Sequence, residues 1–267
     1  MAAFSSDSPA GALRDVFAQA RREQRAAFIG YLPSGYPTKH DSDKLMACLA
    51  SYADVIEVGI PFSDPMMDGP VIQEAGMAAL KAGFRVKDSL SSVRKITDAG
   101  GRSVVMSYWN PILQYGPERY AEELAESGGL GTIIPDLLPE ESAPWAQACH
   151  KHGLAPIYLV APSTSPERMA LTVGAGDGFV YAASHMGVTG AQQSVSSGAR
   201  DLVNRVREYT DLPVAVGLGV SNGQQAAEIA QYADGVIVGS ALIRAAKDGL
   251  HSFEALVKEL SEGVRGD

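Results

Sequence analysis

A (β/α)8 TIM barrel is the fold class that this 267-residue sequence predicts, and three observations carry the prediction. Eight short β-rich apolar runs recur along the chain, amphipathic helical patterns fill the gaps, and most runs are unbroken, as in VVMS, IYLV, VAV and VIV. A strand covered on one face alternates apolar and polar residues; one covered on both faces does not, so unbroken runs indicate a parallel sheet wrapped by helices. Eight β-then-α units in a chain of this length fit a closed barrel. An open doubly wound sheet is the rival, but it has fewer strands and often a GxGxxG after the first, which is missing here. With no low-complexity tract and no linker, the expectation is a single domain over residues 1–267.

Taken in order, Leu13, Val16, Phe17 and Ala20 share one face of an extra N-terminal helix ahead of the barrel. Strands are expected at 28–32, 55–58, 103–107, 132–134, 156–160, 178–182, 213–216 and 235–238. Between them, Pro117 opens a helix with Tyr120 and Leu124 inward and Glu118, Glu122 and Glu126 in solvent. Ser165-Pro166-Glu167 supplies an N-cap, a first-turn proline and an acid near the positive end of the helix dipole. Leu202, Val206 and Tyr209 recur at helical spacing, and Ser221 with Gln224 reads as a capping box before Ala226, Ile229 and Ala230. Phe253, Leu256, Val257 and Leu260 form a C-terminal helix after the last strand.

Composition excludes several classes. The chain carries 22 Lys+Arg against 31 Asp+Glu, a net charge of −9, with no basic run, which argues against nucleic acid as a partner. Its apolar runs fall far short of the ~20 residues that cross a bilayer, and MAAFSSDSPAG lacks the basic and apolar regions of a secretion signal. Cys48 and Cys149 sit on apolar helix faces without a CxxC and are expected to be free thiols. The expectation is a soluble, cytoplasmic protein. The five histidines make no HxxxH or His/Asp cluster, so no metal site is expected.

Chemistry concentrates in EVGIPFSDPMMDGP. Glu57 interrupts an apolar strand and should point into the barrel end while Ile56 and Val58 face the helices. Poor solvation raises a carboxyl pKa and makes both protonation states accessible near neutrality. Asp64 and Asp68 follow in a loop stiffened by prolines; two carboxyls in different environments are what general acid–base work requires. The plainer alternatives are a core pairing for Glu57 and helix capping by the aspartates. Three glycine-rich turns come late: Gly187 to Gly190, Gly217-Leu-Gly-Val-Ser221 and Gly239-Ser240. Backbone N–H groups and helix starts there suit an anion, and loops after strands seven and eight are the usual phosphate site of barrels. The polar stretch 184–197 reads as a lid, and Tyr108 and Tyr181 end strands three and six, facing either a ligand or rim packing. No nucleophile elbow appears and no lysine stands inside a strand. At this level an isomerase or epimerase of phosphorylated substrates, and a non-catalytic phosphate-ligand binder, stay open.

These segments resemble the tryptophan synthase α subunit family. EVGIPFSDPMMDGP resembles its second-strand segment, YAASHMGVTGA its sixth strand and lid, GLGVSN and VIVGSA its phosphate turns, with FIGYLPSGYP and MSYWNPILQYG at the first and third strands. The resemblance implies reversible cleavage of indole-3-glycerol phosphate to indole and D-glyceraldehyde 3-phosphate. It assigns Glu57 the proton transfers and Asp68 the charge on the indole N–H. It makes Thr189 the lid contact to Asp68, and Gly190, Gly219, Gly239 and Ser240 the phosphate contacts. Tyr181 falls near Glu57 and Tyr108 is an aromatic wall. No cofactor is implied in this chain; pyridoxal phosphate belongs to a partner β subunit, in an α–β–β–α heterotetramer that receives the indole for tryptophan synthesis. Tyr36, Met66-Met67 and Leu218 depart from the residues frequent in the family at those positions, and His185 falls at a variable lid position.

Overall fold

The computed structural model describes residues 5–183, 196–217 and 219–266. Its strands are β1 (Ala27–Pro33), β2 (Val55–Gly59), β3 (Ser103–Met106), β4 (Gly131–Ile133), β5 (Ala155–Ile157), β6 (Leu159–Val160), β7 (Val180–Ala183), β8 (Val214–Gly217) and β9 (Gly235–Val238). All pairings are parallel, in the order β5-β4-β3-β2-β1-β9-β8-β7-β6. The two ends of this sheet, β5 and β6, are separated only by Tyr158, so the ring closes through that residue.

The run expected as one strand over 156–160 is therefore split. Its first part pairs with β4 and its last part with β7, while the Tyr158 carbonyl accepts the Tyr181 N–H at 3.1 Å. Staggered register is a condition of barrel closure, and here it hands the strand from one neighbour to the next.

Helices α1 (Pro9–Arg22), α2 (Lys39–Ala50), α3 (Pro70–Lys81), α4 (Val86–Asp98), α5 (Trp109–Tyr115) and α6 (Pro117–Glu126) accompany the first half. α7 (Ala143–His152), α8 (Pro166–Ala175), α9 (Ser196–Arg207), α10 (Gly223–Ala230), α11 (Ser240–Lys247) and α12 (Leu250–Arg265) accompany the second. Helix α1 starts on a Ser8 cap whose hydroxyl accepts the Gly11 N–H at 3.1 Å, with Pro9 in the first turn.

Period-two alternation sorts the strand residues into two cores. Ile29, Val55, Val104, Ile133, Ile157, Phe179, Ala215 and Ile237 point inward and pack with Leu13, Val16 and Phe17 of α1. Phe17 and Phe179 bring their ring centroids within 5.3 Å. Leu13 lies against Gly178 and Phe17 against Gly235, both at the N-terminal ends of strands, so α1 plugs that end of the barrel. The intervening residues, Ile56 and Val58 among them, pack outward on Leu45, Leu49, Val93, Leu124 and Trp145. Cys48 and Cys149 are free thiols. No helix of the described residues is long and apolar enough to cross a membrane.

Two helix details differ from expectation. Tyr209 falls beyond the end of α9 and is 40% exposed, while Ala199, Leu202, Val203 and Val206 form its buried face. The cap of α10 is Asn222, whose side chain accepts the Gln225 N–H, and Gln225 Oε1 in turn accepts the N–H and hydroxyl of Ser221. The cap therefore falls one residue later than Ser221, because asparagine competes well for that position, and Gln225 reaches back past the cap to Ser221 instead of closing a reciprocal box with Asn222.

Candidate active site

Glu57 occupies the inward register of β2, two residues above Val55, and is 1% exposed. Its Oε2 has no hydrogen-bond partner among the described residues. Loss of hydration, reinforced by the Asp68 charge, pushes its carboxyl up to about 8. At neutral pH Glu57 holds a proton.

Asp68 sits on the loop between β2 and α3, half-buried and one residue ahead of the Gly69 cap position. It does not cap α3, whose N-cap makes no side-chain hydrogen bond. Burial pushes its carboxyl up to about 6, and a hydrogen bond with the Tyr108 side chain works in the opposite direction. Asp68 is thus ionised at neutrality. The neighbouring loop residues Met66 and Met67 are 76% and 59% exposed.

Tyr108 anchors this loop from the end of β3. Its hydroxyl accepts the Met67 N–H at 2.8 Å, and its ring stacks on Phe62 with centroids 5.2 Å apart. The phenol is pushed up to about 12, chiefly by burial and then by Asp68, so it stays neutral and available to donate. Tyr181 lies on the inward register of β7, its phenol raised by burial and by both carboxyls. The structure thus brings Glu57, Asp68, Tyr108 and Tyr181 into one electrostatic neighbourhood at the C-terminal end of the barrel.

The late turns divide by the reason for their glycines. A Cβ on Gly217 would stand 2.6 Å from the Tyr181 hydroxyl, and one on Gly239 3.2 Å from the Tyr31 ring. Those glycines make room for tyrosines. Gly219 instead has open space but φ +66, a left-handed conformation that only glycine adopts without strain. Ser240 is the first residue of α11, whose N-terminus carries no side-chain cap, leaving its amide groups free for an anion. Ser221, expected to add donors, spends its N–H and hydroxyl on Gln225 at 2.8 and 2.9 Å. Thr189, Gly190, His185 and Leu218 lie outside the described residues, as does all of the expected lid except its last two residues, where α9 begins.

Tyr31 and Phe62 were not singled out from sequence. A tyrosine two residues from Ile29 in an aliphatic strand was the available signal, since equal parity puts both on the inward face. Among the described residues, no group of three or more His, Cys, Asp and Glu side chains is placed to hold a metal ion.

A parallel (β/α)8 barrel with two unlike, poorly solvated carboxyls at the C-terminal ends of its strands defines an acid–base barrel enzyme. The family model for "Tryptophan synthase alpha chain" matches residues 17–266. The alpha chain of Mycobacteroides abscessus is 58% identical over 256 residues, covering 96% of this chain and 98% of that one. That of Mycobacterium marinum is 56% identical over 257 residues, covering 96% of each. Among solved structures, Mycobacterium tuberculosis tryptophan synthase superposes with a TM-score of 0.91 at 55% identity, covering 95% of this chain and 98% of that chain. The Legionella pneumophila alpha subunit gives 0.87 at 32% identity, covering 96% and 99%. The chain belongs to the tryptophan synthase alpha chain family and is a lyase.

Proposed function

We propose that this chain cleaves indole-3-glycerol phosphate reversibly to indole and D-glyceraldehyde 3-phosphate, with Glu57 and Asp68 as its catalytic pair. The observation that carries the reading is the division between them: a dry, protonated Glu57 beside an ionised Asp68. Glu57 delivers its proton to C3 of the indole ring. The ring becomes an indolium cation, whose N–H the Asp68 carboxylate holds by charge and hydrogen bond. Glu57, now a carboxylate, takes the proton from the adjacent glycerol hydroxyl. The carbon–carbon bond then breaks as that carbon becomes an aldehyde, and its electron pair returns the ring to neutral indole. Glu57 ends protonated, as it began.

Gly219, Gly239 and Ser240, with Gly190 and Thr189 from the lid, are assigned to the phosphate and to closure. The open N-terminus of α11 supports the phosphate role. The chain works as one domain over 1–267, in the cytoplasm, with a pyridoxal-phosphate-dependent β subunit in an α–β–β–α heterotetramer; its own reaction uses no cofactor.

Indole release by the purified chain, with and without a β subunit, tests the reading. Turnover that rises with the partner and collapses in Glu57→Gln and Asp68→Asn is the expected result. Intact ligand binding with no indole under either condition would leave a phosphate-ligand binder.

A further inference from the structure

Tyr31 is the inward residue of β1 that the acid–base reading leaves unused. In the β1–β2 ladder its register partner is Glu57, so the two side chains leave adjacent strands side by side. Its position is fixed from both flanks by glycines. A Cβ on Gly59, at the end of β2, would stand 2.4 Å from the Tyr31 hydroxyl, and one on Gly239, at the end of β9, 3.2 Å from its ring. The ring therefore spans the floor from the carboxyl side to the turn that opens α11. Tyr31 is 7% exposed, and burial together with Asp68 and Glu57 keeps its phenol neutral. Its hydroxyl makes no hydrogen bond with another described residue.

We propose that Tyr31 is a specificity-determining residue whose hydroxyl hydrogen-bonds the hydroxyl-bearing chain joining the substrate's ring to its phosphate. The inference rests on the reading above. A substrate with its ring at Glu57 and Asp68 and its phosphate at Gly239 and Ser240 lays its linking chain across Tyr31. Indole-3-glycerol phosphate brings two hydroxyls on that chain. Glu57 takes the one on the carbon that becomes the aldehyde. The other leaves water on binding and needs a partner, and Tyr31 presents a neutral donor and acceptor beside its path. A site built to bond a substrate hydroxyl discriminates strongly against an analogue lacking it, because the protein's polar group is then left unpaired.

The test compares wild type, Tyr31→Phe and Tyr31→Leu using two probes: indole-3-glycerol phosphate for turnover, and 3-(indol-3-yl)propyl phosphate, which has no chain hydroxyls, for binding. For Tyr31→Phe the expected result is a kcat/KM about 10- to 100-fold lower, the range a lost hydrogen bond supports, with propyl-analogue Kd unchanged within about twofold. Tyr31→Leu, which loses the ring as well, should weaken both. A Tyr31→Phe variant with wild-type kcat/KM overturns the proposal. So does one that weakens the propyl analogue as much as it lowers kcat/KM, since that marks the hydroxyl as packing only. A wild-type chain that binds the propyl analogue yet releases no indole overturns the lyase reading instead, and this inference with it.

Discussion

Asp54 and Glu57 stand three positions apart, one just before β2 and one within it, and live in opposite ways. Asp54, at the N-terminal end, accepts two hydrogen bonds from Arg25 at 2.7 and 2.8 Å and a third from the Phe28 N–H at 2.8 Å. Arg25 is itself buried, with 8% of its side chain exposed. Nearby, Arg14 grips Asp177 with both contacts at 3.0 Å, and α1 seals the end against water. At the other end Glu57 is drier still, 1% exposed against 13% for the Asp54 side chain, yet one of its oxygens has no partner among the described residues. Burial alone does not decide what a carboxyl does. Matched with a guanidinium and an amide it becomes a tie between strands; left unmatched it keeps a proton that chemistry uses.

The largest expected effect is on turnover. Glu57→Gln should lower kcat by about a thousandfold or more, while keeping phosphate-ligand affinity. Asp68→Asn should cost about 10²- to 10³-fold, as for loss of a charge aimed at the transition state. Equal activity in either variant would erase the contrast between the two ends.

Stability should respond in the opposite place. Asp54→Ala removes two charge-assisted bonds from Arg25, which keeps Glu23 as its ionic partner, and the acceptor of the Phe28 N–H; it is expected to cost about 2–3 kcal/mol in urea unfolding, with kcat of the folded fraction unchanged. A fall in kcat at unchanged stability would make the N-terminal end part of the site.

Glu57→Gln should also stabilise the fold, but only above mildly acidic pH. The folded carboxyl titrates near 8 against an ordinary 4.5, so the folded state binds the proton more tightly than the unfolded chain. Its favourable contribution is complete below about 4.5 and is lost as pH rises through about 8. Removing the ionisable group should therefore gain about 3 kcal/mol near pH 7, vanishing at pH 4. Thermal melts of both proteins at the two pH values measure this.

The smallest effects are in pH dependence. Turnover should be bell-shaped, falling below about 6 as Asp68 protonates and above about 8 as Glu57 ionises. Tyr108→Phe removes the hydrogen bond that lowers Asp68, so the acid limb should move upward while the alkaline limb stays in place. Movement of both limbs together would show that Tyr108 acts on the whole loop and not on Asp68.

The residues themselves explain what was legible. Glu57 stood out because a charged residue in an unbroken apolar strand has few reasons to be there, and parity alone placed it opposite Ile56 and Val58. Helix starts at Pro117 and Ser165 were equally readable, since caps and prolines act within one turn. Strand five read as continuous because its handover from β4 to β7 leaves no mark on hydrophobicity. Tyr31 escaped notice for a related reason: its partners Glu57, Gly59 and Gly239 come from other strands.

The sequence by itself determined the repeating βα order, the inward parity of β2 and the identity of the unusual carboxyls, all of which depend on neighbours within a turn or two. Only the tertiary structure decided that one Glu57 oxygen goes without a partner among the described residues while Asp54 is tied to Arg25, that Tyr108 holds the Asp68 loop, and that Gly59, Gly217 and Gly239 make room for tyrosine rings. Those outcomes depend on desolvation and on distances across strands, which barrel closure sets and chain order does not.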